Sequence, residues 1–539
     1  MKTTRARRLR RAALFAASAV SVAATVLMAG VGGAVASPAS GGANPIVRSD
    51  GGLVRGVDVA GVNSFLGLRY AAPPTGNLRW RAPRPAAAWT GVRDATRFGP
   101  SCPQATMGNP FLPPGPISED CLYLNVYAPA SHNSNGGGRP VLVWIHGGGL
   151  VQDGARNYDG TKLAADGAVV VTINYRLGAL GFLAHPALAS RPGGAAGNYG
   201  LMDQQAALRW VQRNIAQFGG DPRNVTIAGE SAGGLSVLAQ MVSSGARGLF
   251  QRAVVQSGTF ALTQRPLATA EAAGQTFATA VGCPDQTAAC LRSAPVSALV
   301  SKFGVEIPGV VDGSVLTQSI GTALARGQFA RVPVINGITH DEELLFVAGL
   351  GITVSQGTNI LLAAPLSDSA NYQANIAQAL GVTDTRAAAI AAEYPLSAYP
   401  LPVVALSLLV SDASFACPAL QVDRWTAARG VPTYAYQFND DKAPVSFLGF
   451  SLGLATHGAE LPYLFDLPNT PVVLDPDQQA LAASMRTDWA SFAASGNPSS
   501  RALPWPSFNG TRVLSLVPLQ SQVTTDFAIA HHCSFWAAG

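Results

Sequence analysis

The chain has 539 residues, 48% hydrophobic and only 12% charged, which is the reverse of the balance that keeps a chain unfolded. Its 57 Gly and 37 Pro follow no G-X-Y period, which excludes a collagen-like fibre. The net charge is +5, and the first 36 residues alone carry +6, where Lys2, Arg5, Arg7, Arg8, Arg10 and Arg11 stand without an acid; the rest of the chain is then at −1 and has no basic footprint for nucleic acid.

The basic run up to Arg11 is followed by an uncharged stretch, Ala12 to Ala36, that ends in Ala34-Val35-Ala36. A charged start, an apolar middle and a small-x-small end predict an export signal over residues 1–36, cleaved after Ala36, with residues 37–539 forming a single domain. The stretch is long enough to span a bilayer, but its Ala, Ser and Gly content favours cleavage over anchoring. The arginine pairs fit a twin-arginine signal poorly, so the export route stays open. No later segment reaches about 18 uncharged apolar residues, so no stable membrane insertion is expected after cleavage. The expected location is secreted or extracellular. Only four of the 36 basic residues are lysines, which suits a GC-rich genome, and export from a bacterium is the simplest setting.

The six cysteines, Cys102, Cys121, Cys283, Cys290, Cys417 and Cys533, form no C-x-x-C pair and no Cys/His cluster with zinc spacing. An even count in an exported chain predicts disulfides. Sequence neighbours pair most economically, as Cys102–Cys121 and Cys283–Cys290, which leaves Cys417–Cys533.

From residue 120 to 260 short apolar runs alternate with longer periodic ones. Strands are predicted over Pro140–Ile145, Ala168–Asn174 and Asn224–Ala228. Helices are predicted over Asp203–Gln217, with Leu208, Val211 and Ile215 on one face, and over Ala232–Val242. Further strands are expected at Ala253–Gln256, Val332–Gly337 and Thr433–Phe438, and the Ala/Leu-rich segment 344–430 reads as a helical insertion over the sheet. Strand–helix alternation implies a parallel sheet covered on both faces.

Gly229-Glu230-Ser231-Ala232-Gly233 fits G-x-S-x-G between a predicted strand and a predicted helix. That context makes Ser231 a candidate nucleophile, because flanking glycines let a strand reverse sharply into a helix and expose the hydroxyl. The alternative is an ordinary Gly-rich turn. Upstream, His146-Gly147-Gly148-Gly149 offers backbone N–H groups to a substrate oxygen, with the N–H of Ala232 as a further donor. A base and an acid must follow in the order Ser, Asp/Glu, His. Of the seven histidines, His457 on its Gly-flanked loop suits the base best. Asp341-Glu342-Glu343 follows a predicted strand and supplies the acid, and spacing does not choose among the three.

These residues together resemble the type-B carboxylesterase/cholinesterase family of α/β-hydrolases. The resemblance runs from about Val54 to Trp536. Its markers include Glu119-Asp120-Cys121-Leu122-Tyr123-Leu124-Asn125-Val126, Asn174-Tyr175-Arg176 and the stretch from Gly197-Asn198 to Gly233-Gly234. It implies an α/β-hydrolase fold, a large mostly parallel sheet flanked by helices with helical insertions over the C-terminal half. It also implies a serine carboxylesterase with Ser231 as nucleophile, His457 as base, Glu342 as acid, and an oxyanion hole at Gly148, Gly149 and Ala232. Glu230 and Ser257 match positions that hold the histidine, and the three cysteine pairs match the family's bridges. Neither a metal nor an organic cofactor is implied. Two positions depart from the family pattern: Glu343 stands where a glycine usually follows the acid, and Ala459 replaces a tyrosine after the histidine.

Cholinesterases carry a tryptophan in the first disulfide loop, to hold a quaternary ammonium. Residues 103–120 contain none, and Phe111 stands at the equivalent spacing. The loop carries Pro110, Pro113, Pro114 and Pro116, and its Phe111, Leu112 and Ile117 are candidates for an acyl-site wall. The expected substrate is a small or medium carboxylic ester. The alternatives are a lipase on longer acylglycerols, or a non-catalytic binding protein of this fold, against which every triad position is filled.

Overall fold

The computed structural model describes residues 44–538, apart from 106–114, 132–136, 190–195, 304–308, 345, 348–351, 356–357, 362–367, 448–449, 454, 469 and 501–503. The expected export signal lies outside the described residues, as do Phe111, Leu112, Pro110, Pro113 and Pro114.

The strands of the central sheet are β1 Val57–Val59, β2 Val62–Arg69, β3 Tyr123–Pro129, β4 Arg139–Ile145, β5 Val169–Ile173, β6 Gly220–Glu230, β7 Arg252–Gln256, β8 Val334–Thr339, β9 Thr433–Phe438, β10 Val513–Leu516 and β11 Gln522–Thr524. Their spatial order is β11-β10-β9-β8-β7-β6-β4-β5-β3-β2-β1. From β5 to β10 every pairing is parallel, and the strands at both edges are antiparallel. This is the α/β-hydrolase arrangement, a large mixed sheet between helical layers.

The apolar runs of the middle strands follow from burial on both faces. Val141, Val143 and Ile145 of β4 join one core, with Val169, Val171, Val225 and Ile227. Leu142 and Trp144 face the opposite core, with Val170, Ala228, Val254 and Ile335. A period of two with no polar face is what a doubly covered parallel sheet requires. Helices Tyr199–Asn214 and Ala232–Val242 contribute Leu208, Val211, Leu235 and Leu238 to the first core. Helix Pro476–Ser495 packs Leu481, Met485, Trp489 and Phe492 into the second. Its start carries a capping box, Asp475 with Gln478.

Each predicted strand of the sheet is present, with ends moved by a few residues: β6 runs over Gly220–Glu230 and β8 over Val334–Thr339. The first predicted helix is Tyr199–Asn214 followed by a 3-10 turn, Ile215–Phe218, and begins four residues before its expected start. Segment 344–430 is largely helical, with Tyr372–Leu380, Asp384–Glu393, Pro402–Ser411 and Cys417–Ala427. It also opens with a hairpin, Ile352–Ser355 paired with Thr358–Leu361, where a helix was expected. The β-branched run Ile352-Thr353-Val354 favours the extended backbone. The insertion has its own satellite core around Ile376, Ile390, Tyr394, Val404 and Leu408. The continuous helix Pro402–Ala427 is long and apolar enough to cross a membrane, but 83% of its apolar window is buried inside the fold.

The three expected disulfides are present: Cys102–Cys121, Cys283–Cys290 and Cys417–Cys533, with Cα separations of 5.0, 5.6 and 5.2 Å. The last ties the insertion to the C-terminal helix across 116 residues. Closing a loop of that length stabilises by about 4–5 kcal/mol on the chain-entropy account.

Candidate active site

The parallel strands end on one side of the sheet, and the turn after β6 carries Ser231. Its φ of 57° and ψ of −126° lie outside the helix and strand regions, and helix Ala232–Val242 starts directly after it. A non-glycine residue at positive φ is strained and persists only where its surroundings impose it. The two glycines of the motif impose it by absence. A Cβ on Gly233 would lie 2.0 Å from the Ile145 carbonyl oxygen, and one on Gly229 would lie 2.5 Å from the Gly233 carbonyl carbon. Helix and strand therefore pack closer than any side chain permits. Ser231 is partly exposed, while Glu230 and Ala232 on either side are buried.

His457 sits on the loop after the Phe450–Gly453 strand, 10% exposed at its side chain. Its Nδ1 lies 2.5 Å from Oε2 of Glu342, whose side chain is fully buried. The other carboxylate oxygen of Glu342 accepts hydrogen bonds from the Ser257 hydroxyl at 2.6 Å and the Thr339 N–H at 2.9 Å. Two of the three adjacent carboxylates thus separate by direction. Asp341 turns to His340 at 2.7 Å, Glu342 turns to His457, and the backbone N–H of Glu343 is held by the Ser411 hydroxyl. The rings of Phe346 and Phe415 stand 5.3 and 5.4 Å from the imidazole and give it an apolar flank.

The Nε2 of His457 lies 3.2 Å from Oε1 of Glu230, the residue before Ser231. Among the described residues Ser231 Oγ makes no hydrogen bond, so the imidazole faces the serine turn through its neighbour. Such contacts are often long before substrate binds and close in the complex.

Three carboxylates surround this imidazole. Burial pulls the His457 pKa down, but Glu230 and Glu342, with Glu460, outweigh it and lift it to about 10. Burial raises the Glu230 carboxyl to about 8, His457 opposing and Glu460 and Glu342 adding to the rise. Burial likewise raises Glu460 to about 7, with Glu342 adding to it. Glu460 accepts a hydrogen bond from the Gln256 side chain at 3.1 Å, and Gln256 in turn accepts one from Trp489.

Gly148 and Gly149 stand at φ of 80° and 62°, where glycine is at ease. Among the described residues the N–H groups of Gly148, Gly149 and Ala232 donate to no partner. Three unspent donors beside a serine at a helix N-terminus suit a developing oxyanion. His146 is buried, stacked at 4.4 Å on the Tyr175 ring, and burial lowers its pKa to about 3. Tyr175 donates its hydroxyl proton to the His146 carbonyl at 2.7 Å. The ring is thus a neutral support for the glycine loop.

The fold brings together Ser231, Glu230, Ala232, Gly148, Gly149, Ser257, Glu342 and His457. Ile117, on the first disulfide loop, pairs through its backbone with Ser101. Sequence reasoning gave no role to Glu460, although it stands three residues after His457. It also missed Gln104, Phe346 and Phe415, whose residue types carry no signal until the chain folds.

The Carboxylesterase family matches residues 43–536. A cocaine esterase of Oryctolagus cuniculus is 37% identical over 495 residues, which cover 87% of this chain and 91% of that protein. A cocaine esterase of Homo sapiens is 35% identical over 524 residues, 92% of this chain and 91% of that protein. An acylcarnitine hydrolase of Mus musculus is 36% identical over 494 residues, 86% of each.

Proposed function

The chain belongs to the carboxylesterase family and is a carboxylic ester hydrolase; from that premise we propose that it works through Ser231, His457 and Glu342 by way of an acyl-enzyme. His457 takes the Ser231 proton as the hydroxyl attacks the ester carbonyl. The carbonyl oxygen becomes an oxyanion held by the N–H groups of Gly148, Gly149 and Ala232. The alcohol leaves with the proton from His457, and water repeats the attack on the acyl-serine. Glu342 accepts from Nδ1–H, so Nε2 is the nitrogen that serves as base, and the carboxylate steadies the imidazolium that forms. Each oxyanion donor is worth about 2.7–4 kcal/mol of barrier.

The reading is carried by one observation, the His457 imidazole set between the Glu342 carboxylate at 2.5 Å and the carboxylate of Glu230, the residue before Ser231, at 3.2 Å. The substrate class we assign is small and medium carboxylic esters with an apolar group to set against Phe346 and Phe415. The test is p-nitrophenyl ester hydrolysis from acetate to palmitate, before and after a serine-directed organophosphate. Loss of activity on phosphylation and in Ser231→Ala is the expected result. Rates that climb steadily towards palmitate indicate a lipase instead, and no hydrolysis at any chain length indicates a binding protein.

Residues 1–36 are proposed as an export signal removed after Ala36, leaving 37–539 as one catalytic domain. The family match beginning at residue 43 and the three disulfides support this. N-terminal sequencing of the exported protein should begin at Ser37.

A further inference from the structure

Gln104, two residues after Cys102, joins the Cys102–Cys121 disulfide to the glycine loop. The Gln104 amide makes both of its hydrogen-bonding groups available to a single residue. Its Nε2 donates to the Asp153 carbonyl at 2.8 Å, and its Oε1 accepts from the Asp153 N–H at 2.8 Å. The same Nε2 donates to the Cys102 carbonyl at 3.2 Å, which ties the amide to its own disulfide.

The residue held this way is in an unfavourable backbone state. Asp153 has a φ of 82°, positive for a residue with a Cβ, and it is buried. It follows Gln152, whose carbonyl is pressed under the oxyanion glycine: a Cβ on Gly148 would come within 2.3 Å of the Gln152 oxygen. The Gly148 carbonyl accepts from both Val151 and Gln152 N–H at 3.1 Å. Gln104 therefore grips the peptide that Gly148 rests on. A second tether runs in parallel. The Asn174 side chain accepts from the Ala155 N–H at 2.8 Å and donates to the carbonyls of Pro100 and Cys121 at 3.0 and 3.1 Å. Two runs that marked the family resemblance, around Cys121 and at Asn174, thereby meet on the loop that carries Gly148 and Gly149.

We infer that Gln104 is a positioning residue for acyl transfer: its paired hydrogen bonds to Asp153 hold the 148–153 loop so that the Gly148 and Gly149 N–H groups aim at the oxyanion. This rests on the proposed oxyanion hole and adds a residue that touches neither substrate nor nucleophile. Donors misplaced by about 1 Å forfeit on the order of 100-fold in rate. Substrate binding is untouched, because the oxyanion exists only in the transition state.

The test compares Gln104→Ala and Gln104→Glu with the wild-type enzyme. Glutamate keeps the acceptor for the Asp153 N–H and loses the donor to its carbonyl. The readouts are kcat and KM on p-nitrophenyl acetate, the active fraction from an organophosphate burst, and inhibition by a trifluoromethyl ketone, which forms an oxyanion on the serine. Both variants should lose kcat per active site by about 10- to 100-fold with KM within a factor of two, Gln104→Glu losing less. The ketone should weaken by a similar factor. Wild-type kcat per active site, with only the active fraction or thermal midpoint lowered, overturns the inference and leaves Gln104 a packing residue. Failure of the underlying reading is distinct: Ser231→Ala would then retain hydrolysis.

Discussion

The imidazole of His457 sits between two carboxylates of unlike position, and its Nε2 is 3.2 Å from Glu230, the residue adjoining Ser231. Burial lowers the affinity of this ring for its proton, and Glu230, Glu342 and Glu460 raise it further than burial lowers it. A general base must be neutral, so activity should be lost as pH falls through the His457 pKa and should rise with pH across the neutral range. Glu230→Gln withdraws one of the raising charges. The acid limb of kcat/KM should then move to lower pH by about one unit. The measurement is the pH–rate profile of the two enzymes, and an acid limb that stays in place or moves upward rejects the assignment.

Glu342 is the carboxylate that reaches His457, so Glu342→Gln should cost kcat on the order of 10⁴-fold, through the wrong tautomer and the lost stabilisation of the imidazolium. Asp341→Asn, whose carboxylate faces His340, should cost less than about tenfold. Steady-state kinetics on one short ester separates the two.

Ser231→Ala should lower kcat by about 10⁴–10⁶-fold while leaving the fold intact. Circular dichroism and the thermal midpoint should match the parent, and the covalent organophosphate adduct should vanish from the mass spectrum.

Gly233→Ala tests the turn itself. Its new Cβ would meet the Ile145 carbonyl oxygen at 2.0 Å, and neither backbone segment has a flexible end that yields. We expect a stability loss of about 3 kcal/mol or more together with loss of activity. A urea midpoint equal to that of the parent would falsify the close packing of helix and strand.

The Arg176–Asp203 pair is buried, with side chains 2% and 0% exposed. Asp203 accepts from Arg176 Nε at 2.7 Å and from its guanidinium Nη2 at 2.8 Å. Asp203→Ala leaves a buried cation without its counter-charge and should destabilise by about 3–5 kcal/mol. Urea unfolding with the disulfides intact provides the measure.

Much of this molecule is legible in its linear order, because the properties concerned are local. Alternating apolar runs report strands covered on both faces, and a glycine two residues either side of a serine reports a turn with no room for a Cβ. Six cysteines whose neighbours pair leave a single pairing for the last two. Helix ends shifted by several residues, since capping and tertiary packing set them, and the Ile352–Leu361 hairpin was hidden by the Ala/Leu-rich composition around it. What only the tertiary structure decided is which distant side chains meet. Asp341, Glu342 and Glu343 are chemically alike and adjacent, and the choice of Glu342 depends on Ser257, Thr339 and His457, the last 115 residues away. Glu230 and Gln104 gain their neighbours in the same way. Residue type and spacing encode the backbone's local preference, whereas the direction of a side chain at a strand end depends on the accumulated twist of the sheet and on every element packed against it.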